Sequence, residues 1–572
     1  MPLLAKVLIR QLASWGGYNI NETWAKVNFL MIQTVYEQFS AAAKESPELT
    51  FLCYPPSDDR GYLSSGAEFS YGNSLDLIDA LATSYIEAGF VAGHRVALLL
   101  GNLPDHFWHL LALNSIGASV VPLNPAYMDH ELEYAIKFAN CALVVTTADR
   151  VGDLNRVCLS MSPHVSVFGL NSKEDTIPRP TCDAEVIPSA KGDREALIIY
   201  TSGTTGRPKG CIISNTSCLA AGESYGEAGG LINFEPGKDR LYIPLPAFHM
   251  NVSVYTLNTT TRLRNCIVLQ DRFRASTWWS DIYHTKATCL HYMGIIPPLL
   301  IKSEKSQYEN CHKVKFGQGA GVDPVVREEF ESRFGFPLIE AWGMTETSRA
   351  IQNCRIPRDP AGRAFGFPRA PLEVLVVDEN DNPVPFSTPG ELLVRCAGEN
   401  PRHGFFSGYL KQPEETEKVW RLGWFHTGDV VIQRNDGMLS FVDRKKNIIR
   451  RSGENIAAAE VEEALIEDSK IKSVAVLAAN DEFHDEEIHA CIVLMPNSDA
   501  SELTAKSIFD FGRSRLITYK LPGWISFVDK IPVTGTQKIR KEAIFLKDFN
   551  LKQDVNSFDM RSFKRKKVFK NE

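Results

Sequence analysis

The sequence predicts an α/β protein of more than one domain, and three observations carry that reading. Short apolar runs alternate with helical segments through the first third of the chain, which is the pattern of a parallel sheet covered on both faces. A β-rich texture begins near residue 372, and a small mixed segment follows residue 446. At 572 residues the chain is also too long for a single hydrophobic core.

Taken in order, His94–Gly101 (HRVALLLG) reads as a buried strand ending in glycine. Pro104–Ile116 reads as a helix with proline in its first turn, stopped by Gly117. Ser119–Pro122 and Ala142–Thr146 are further apolar strands, completing a βαβ unit and extending it. Glu373–Val377 and Glu391–Arg395 form an antiparallel pair across a polar, turn-rich loop. Beyond Arg450, a helix at Ala457–Ile466 precedes strands at Val474–Ala479 and Ile488–Leu494. A helix at Glu502–Thr518 and a strand at Ile525–Val528 complete a small α+β domain. The expected organisation is an unassigned extension (1–30), a large domain (31–445) with a β-rich subdomain (about 372–442), and a small domain (446–548). The basic remainder, 549–572, reads as a solvated, disordered tail because its charges show no periodicity.

Composition narrows the function classes. The net charge of −7 gives no global attraction to nucleic acid. No apolar run spans a bilayer, and Lys6 and Arg10 interrupt the N-terminal apolar stretch where a secretory signal needs none. A cytoplasmic protein is expected. The twelve cysteines are scattered with no C-x-x-C pair, so neither a zinc ribbon nor a thioredoxin-type site is indicated. His106 and His109 share a helical face, but without a third ligand they read as core.

Ile198–Gly210 reads IIYTSGTTGRPKG, a strand running into a loop of hydroxyl residues and glycines that ends on a lysine. Glycines admit close approach of a phosphate, the hydroxyl and N–H groups of Thr201, Ser202, Gly203, Thr204, Thr205 and Gly206 supply neutral donors, and Lys209 adds a point charge. It is not the common P-loop, because Pro208 precedes the lysine and no Ser or Thr follows it.

The T-S-G-T-T-G-x-P-K-G pattern resembles the signature of the adenylate-forming superfamily, and the resemblance runs from about Thr34 to about Phe549. Five further segments follow in the family's order. Pro246–His249 resembles the segment at the carboxylate pocket, which implies a substrate role for His249 and its neighbour Asn251. Gln318–Gly321, with Gly319 and Ala320, implies a wall along the adenine. In Glu340–Thr347 (EAWGMTET), the resemblance puts Glu340, Ala341, Trp342 and Gly343 around the adenine, with Trp342 stacked on it. It also puts Thr345 on phosphate and Glu346 on Mg2+. Thr427-Gly428-Asp429 implies a carboxylate accepting from the ribose hydroxyls, and Arg444 a ribose and phosphate contact. Lys446 falls on the family's hinge, about which the small domain is mobile, although Asp443 replaces the usual Gly and Asn447 the usual Asp. Gly453 falls on the segment that lines the pantetheine tunnel, and Lys538 in PVTGTQKIRK matches the catalytic lysine, with Gln537 where Gly is common.

The resemblance therefore implies an ATP-dependent acid–CoA ligase that uses ATP, Mg2+ and coenzyme A on a small-molecule carboxylate. PAFHMN, Ser332–Gly335 and the run from Phe441 to Ile456 resemble carnitine/crotonobetaine-CoA ligases in particular, and Asn251 and Ser253 suggest a more polar pocket wall than a fatty-acid tunnel. Short- or medium-chain fatty acids and aryl acids stay open. So do a carrier-protein thiol as acceptor, a luciferase-like oxygenation and a non-catalytic nucleotide-binding protein. Neither nucleic acid as a partner nor an integral membrane segment is expected, although the basic tail with Phe563 and Phe569 could touch an anionic membrane, and the sequence does not indicate an oligomeric state.

Overall fold

The computed structural model describes residues 32–57, 62–171, 176–185, 190–201, 208–359, 362–451, 454–481, 485–496, 498–516, 518–533, 539–545 and 549–564. The chain divides into two compact units, Met1–Glu373 with Arg395–Trp424, and Val374–Val394 with Phe425–Glu572. The expected N-terminal extension lies outside the described residues.

The first unit holds two large sheets flanked by helices. In the seven-stranded sheet, Arg95–Leu99 is central and pairs in parallel with Ser119–Pro122 on one side and Leu143–Thr147 on the other. All five residues of Arg95–Leu99 are buried, because both faces of a parallel strand are covered. Its base is fixed by Arg95, whose Nε and Nη2 donate to Glu195 at 2.8 and 3.0 Å while Nη1 reaches Glu185 at 2.8 Å. The sequence-predicted helix is Pro104–Ser115, with proline in the first turn and apolar residues buried all round. His106 meets the Ser253 hydroxyl at 2.7 Å and His109 the Tyr85 hydroxyl at 2.7 Å. Burial pushes their rings down to about 3 and about 4, so both are neutral core residues, and no metal-holding cluster occurs among the described residues.

Glu195–Thr201 and Lys209–Ser214 form an antiparallel hairpin at one side of this sheet, with Thr201 opposite Lys209. The two-residue strand Gly408–Tyr409 adds to its outer edge, opposite Ile212 and Cys211. The eight-stranded sheet runs Ala350–Gln352, Leu338–Gly343, Phe316–Gly319, Cys289–His291, Arg240–Ile243, Cys266–Leu269, Thr50–Tyr54, Ala67–Ser70.

In the second unit, Pro389–Cys396, Trp424–Gln433 and Leu439–Arg444 form an antiparallel meander. The C-terminal sheet runs Glu454–Ala457, Ile448–Arg451, Asp485–Leu494, Trp524–Phe527, Ser557–Asp559, with Ile471–Asp481 also paired to Asp485–Leu494. Its core gathers Ile449, Ile456, Val461, Leu465, Ile492, Ile508 and Phe509. The helix expected to reach Thr518 ends at Arg513, because the chain turns there to bury Leu516 and Leu521 against this core. The expected disordered tail is also corrected over 557–564. Ser557–Asp559 pairs with Trp524–Phe527, Met560 is fully buried, and Arg561–Lys564 forms a helical turn. These contacts are non-local, so no periodicity announces them. No helix among the described residues is long and apolar enough to cross a membrane.

Candidate active site

The phosphate hairpin places Thr201 and Lys209 at its mouth. Ser202, Gly203, Thr204, Thr205 and Gly206 lie outside the described residues. Lys209 Nζ pairs with Glu415 at 2.9 Å and stands 4.7 Å from the centroid of the Tyr409 ring. The Tyr409 hydroxyl donates to Glu346 Oε1 at 2.9 Å, and burial lifts that phenol well above its usual range, so it stays a donor. Tyr409 is held by its strand pairing with Cys211 and by the Thr416 hydroxyl accepting its N–H at 2.8 Å. Lys209 and Glu346, 137 positions apart by their numbers, thus share one ring.

Glu346 is 7% exposed, and its own carbonyl accepts from Phe406 N at 2.9 Å. Thr345 precedes it, half-buried in a turn that the Thr347 hydroxyl clamps by accepting from Met344 N at 3.2 Å and donating to Arg349 O at 3.0 Å. Trp342 is buried and stacks on Phe365 at 6.0 Å between centroids, so one face of the indole is already occupied by protein. Ala341 is half-buried and Gly343 exposed, while Gly319 lies opposite Glu340 in parallel register. A Cβ at Gly319 would sit 2.3 Å from Tyr292 O, which explains glycine there. Ala320 is exposed. Glu340 Oε1 accepts from Gly321 N, Oε2 is buried without a hydrogen-bond partner, and burial raises the carboxyl to about 7 against that backbone bond.

Asn251 opens a π-helical turn, Asn251–Thr256. Its Oδ1 is 2.7 Å from His291 Nδ1, and His291 Nε2 is 2.8 Å from the Tyr225 hydroxyl. Burial holds His291 down at about 3, so the ring is neutral. With the phenol donating to Nε2, Nδ1–H donates to Asn251, which leaves the Asn251 amide hydrogens for another acceptor. His249 is half-buried beside Phe248, with ring centroids 4.4 Å apart. Ser253 does not add to a polar wall as the sequence suggested. It is fully buried, and its hydroxyl is taken by His106 and Ala247 O.

In the second unit, Asp429 and Arg444 are register partners, and Arg444 Nε meets Asp429 Oδ1 at 2.7 Å. Asp429 is 1% exposed, with its N–H donating to Thr427 Oγ1 at 3.1 Å. Thr427 is pinned to Leu392 O at 2.7 Å, and Gly428 takes a left-handed φ of 69° with its N–H on Glu391. Although burial opposes it, His426 and Lys445 hold Glu391 down at about 2, and Lys445 Nζ lies 2.7 Å away. The backbone of Lys446 lies in the tight turn Lys445–Asn447. Asp443 braces this turn: one oxygen takes Asn447 Nδ2 at 3.2 Å and the other takes Ala459 N, at the start of helix Ala458–Ile466, at 2.9 Å. Gly453 and Lys538 lie outside the described residues.

Sequence reasoning missed Tyr409, Glu415, His291 and Glu391. Each acts through a partner remote in the chain, so no local pattern marks it.

The hairpin of Glu195–Thr201 and Lys209–Ser214 and the Glu346 carboxylate, tied to its edge strand through Tyr409, form one polar cluster. Residues 39–410 match the AMP-binding enzyme family and residues 460–538 the AMP-binding enzyme C-terminal domain. The chain belongs to this adenylate-forming family, and by class it is an AMP-forming acyl-CoA synthetase. A crotonobetaine/carnitine--CoA ligase of Citrobacter koseri is 28% identical over 546 residues, 92% of this chain and 99% of the relative. The ligase of the same name from Salmonella typhimurium is 28% identical over 83% of this chain and 92% of its own length. The o-succinylbenzoate CoA synthetase of Bacillus subtilis, in complex with its acyl-adenylate, has the same fold at TM-score 0.75 and 22% identity, covering 91% and 99% of the two chains. ATP-bound MatB of Rhodopseudomonas palustris does so at TM-score 0.73 and 21% identity, covering 89% and 98%.

The donor set fits Mg2+. Glu346 offers a hard oxygen, and Mg2+ keeps waters and phosphate oxygens for most of its shell, so one carboxylate suffices.

Replacing Tyr409 with Phe removes the hydrogen bond that aims Glu346. We expect apparent Mg2+ affinity in the adenylation assay to fall on the order of tenfold, as for other outer-shell partners of a metal ligand. An unchanged Mg2+ dependence would remove Tyr409 from this role. An acid raised to about 7 stabilises the fold most below its unfolded value, and that benefit is lost as pH climbs to 7. Glu340→Gln has no such loss. Its Tm should therefore gain on the wild type by a few degrees between pH 4.5 and 7 and stay level above; a pH-independent difference would contradict the assignment.

Proposed function

We propose that this chain joins a small polar carboxylic acid, of carnitine-like or short- to medium-chain type, to coenzyme A through its acyl-adenylate. The observation that carries the reading is the meeting of Lys209, Tyr409 and Glu346 beside the phosphate hairpin. In the first step a substrate carboxylate oxygen attacks the α-phosphorus of ATP, an O–P bond forms, and the bond to pyrophosphate breaks. Two unit negative charges about 4 Å apart repel by roughly 4 kcal/mol at an effective dielectric of 20. Lys538 offsets charge on the α-phosphate, and Lys209 with the loop donors holds the leaving pyrophosphate. Mg2+, bound on Glu346, supplies further neutralisation. Trp342, Ala341, Gly343, Gly319, Ala320 and Glu340 frame the adenine, and Asp429 and Arg444 hold the ribose. Thr345 contacts phosphate.

In the second step the CoA thiolate attacks the acyl carbon, a C–S bond forms, and AMP leaves. Lys538 has no task there. We infer that the small domain, beginning at Lys446, turns about that residue and brings the Gly453 segment to the thiol path. Asn251, aimed by His291, offers N–H donors to a polar group on the acid, with His249 beside it. This favours a polar chain over a plain hydrocarbon, as does the name of the ligases that are 28% identical. All twelve cysteines are free, in keeping with a reducing cytoplasm.

Two measurements test the reading. AMP release from ATP and Mg2+ is measured across carnitine, crotonobetaine, fatty and aryl acids, with and without CoA. Acid-dependent AMP that rises with CoA and yields a thioester is expected. Adenylate that ignores CoA would move the acceptor to a carrier-protein thiol, and no AMP with any acid would leave a nucleotide-binding protein. Lys538→Ala should slow adenylate formation by at least about a hundredfold, the scale of removing one transition-state donor. A wild-type adenylation rate in that variant would refute the assignment.

A further inference from the structure

Glu487, on the strand Asp485–Leu494, is fully buried in the C-terminal sheet. Two cations meet it from opposite ends of the chain's last segment. Arg451 Nε lies 2.9 and 3.0 Å from its two oxygens, and Lys564 Nζ lies 2.7 Å from Oε1. Lys564 is itself 8% exposed. The approach depends on Gly523, where a Cβ would sit 2.2 Å from Glu487 Cγ. Lys564 is delivered by contacts beyond residue 538, where the match to the family's C-terminal domain ends. Met560 N donates to Gly523 O at 2.8 Å, and Arg561 pairs with Asp481 at 2.9 Å.

Arg451 ends the strand Ile448–Arg451, is the last residue paired before the hairpin turns, opposite Glu454, and also pairs with Asp485. Gly453 follows Arg451 by two positions in the sequence. We propose that Lys564 is a positioning residue for thioester formation: through Glu487 it fixes Arg451, and so the end of the hairpin strand that leads to Gly453. A buried carboxylate shared by two cations is held by both, and removing one leaves the charge under-compensated. Glu487 then draws in water or shifts, and Arg451 loses its fixed partner. The role rests on the reading that the Gly453 segment serves the thiol step. On the same reading the first step draws on Lys538, outside this hairpin, so adenylation is expected to be left alone.

The test separates the half-reactions in the full-length enzyme. Lys564→Met keeps the apolar stem and removes the charge. ATP–pyrophosphate exchange reports adenylation, and single-turnover transfer from preformed acyl-adenylate to CoA reports the second step. Exchange within about twofold of wild type is expected, with transfer slowed on the order of ten- to a hundredfold, the scale of an ångström-level misplacement. Lys564→Arg should recover most of the transfer rate. Arg451→Lys, which keeps the charge but loses the Nε contact, should reproduce the split should Lys564→Met not fold. Equal loss in both half-reactions, or no loss in transfer, overturns the positioning role. A wild-type enzyme that exchanges but transfers to no thiol overturns the proposed function instead, and the role with it.

Discussion

A single phenol ties the N-terminal unit's chemistry together. Tyr409 sits on a two-residue strand, reaches Glu346 with its hydroxyl, and lies beneath the Lys209 amine with its ring. A carboxylate and an ammonium that bonded directly would quench one another. Set on the edge and face of one aromatic ring, Glu346 and Lys209 are kept from pairing with each other. Lys209 pairs instead with the half-exposed Glu415 at 2.9 Å.

The second unit solves a different problem, that of holding a tight loop still without a ligand. Gly428 adopts a conformation that favours glycine, and its neighbours are fixed from three sides: Thr427 by a strand carbonyl, Gly428 by Glu391, and Asp429 by Arg444. Glu391 serves twice, since Lys445 also lands on it. The rigidity of the Thr427-Gly428-Asp429 segment and the position of the turn after Arg444 therefore share one buried carboxylate.

The fold was largely readable wherever burial was one-dimensional. Arg95–Leu99 and Pro104–Ser115 announce themselves because a strand or helix covered on all sides must be apolar throughout. The family was readable because glycines, hydroxyls and a lysine in fixed order make a specific signature. What escaped was set by contacts across the chain. Tyr409 gains its meaning from Cys211, Glu346 and Lys209, and Asn251 from His291 and Tyr225. Phe558, Met560 and Phe563 are too sparse among charges to read as an element, yet they pack on the C-terminal core. Ser253 misled because a hydroxyl two residues from Asn251, on a π-helical turn, does not share its face.

Asp443 and Asn447 have a consequence for how such a chain tolerates change. They depart from the superfamily's usual Gly and Asp, and they bond to each other at 3.2 Å. The two positions form one bonded pair, so a change at either one touches the contact of the other. Restoring Asp at 447 alone would set two carboxylates side by side, and restoring Gly at 443 alone would strip Ala459 N of its acceptor. Changing both at once would still leave Ala459 N without its acceptor, so Asp443 is the residue on which both the turn and the start of the following helix depend.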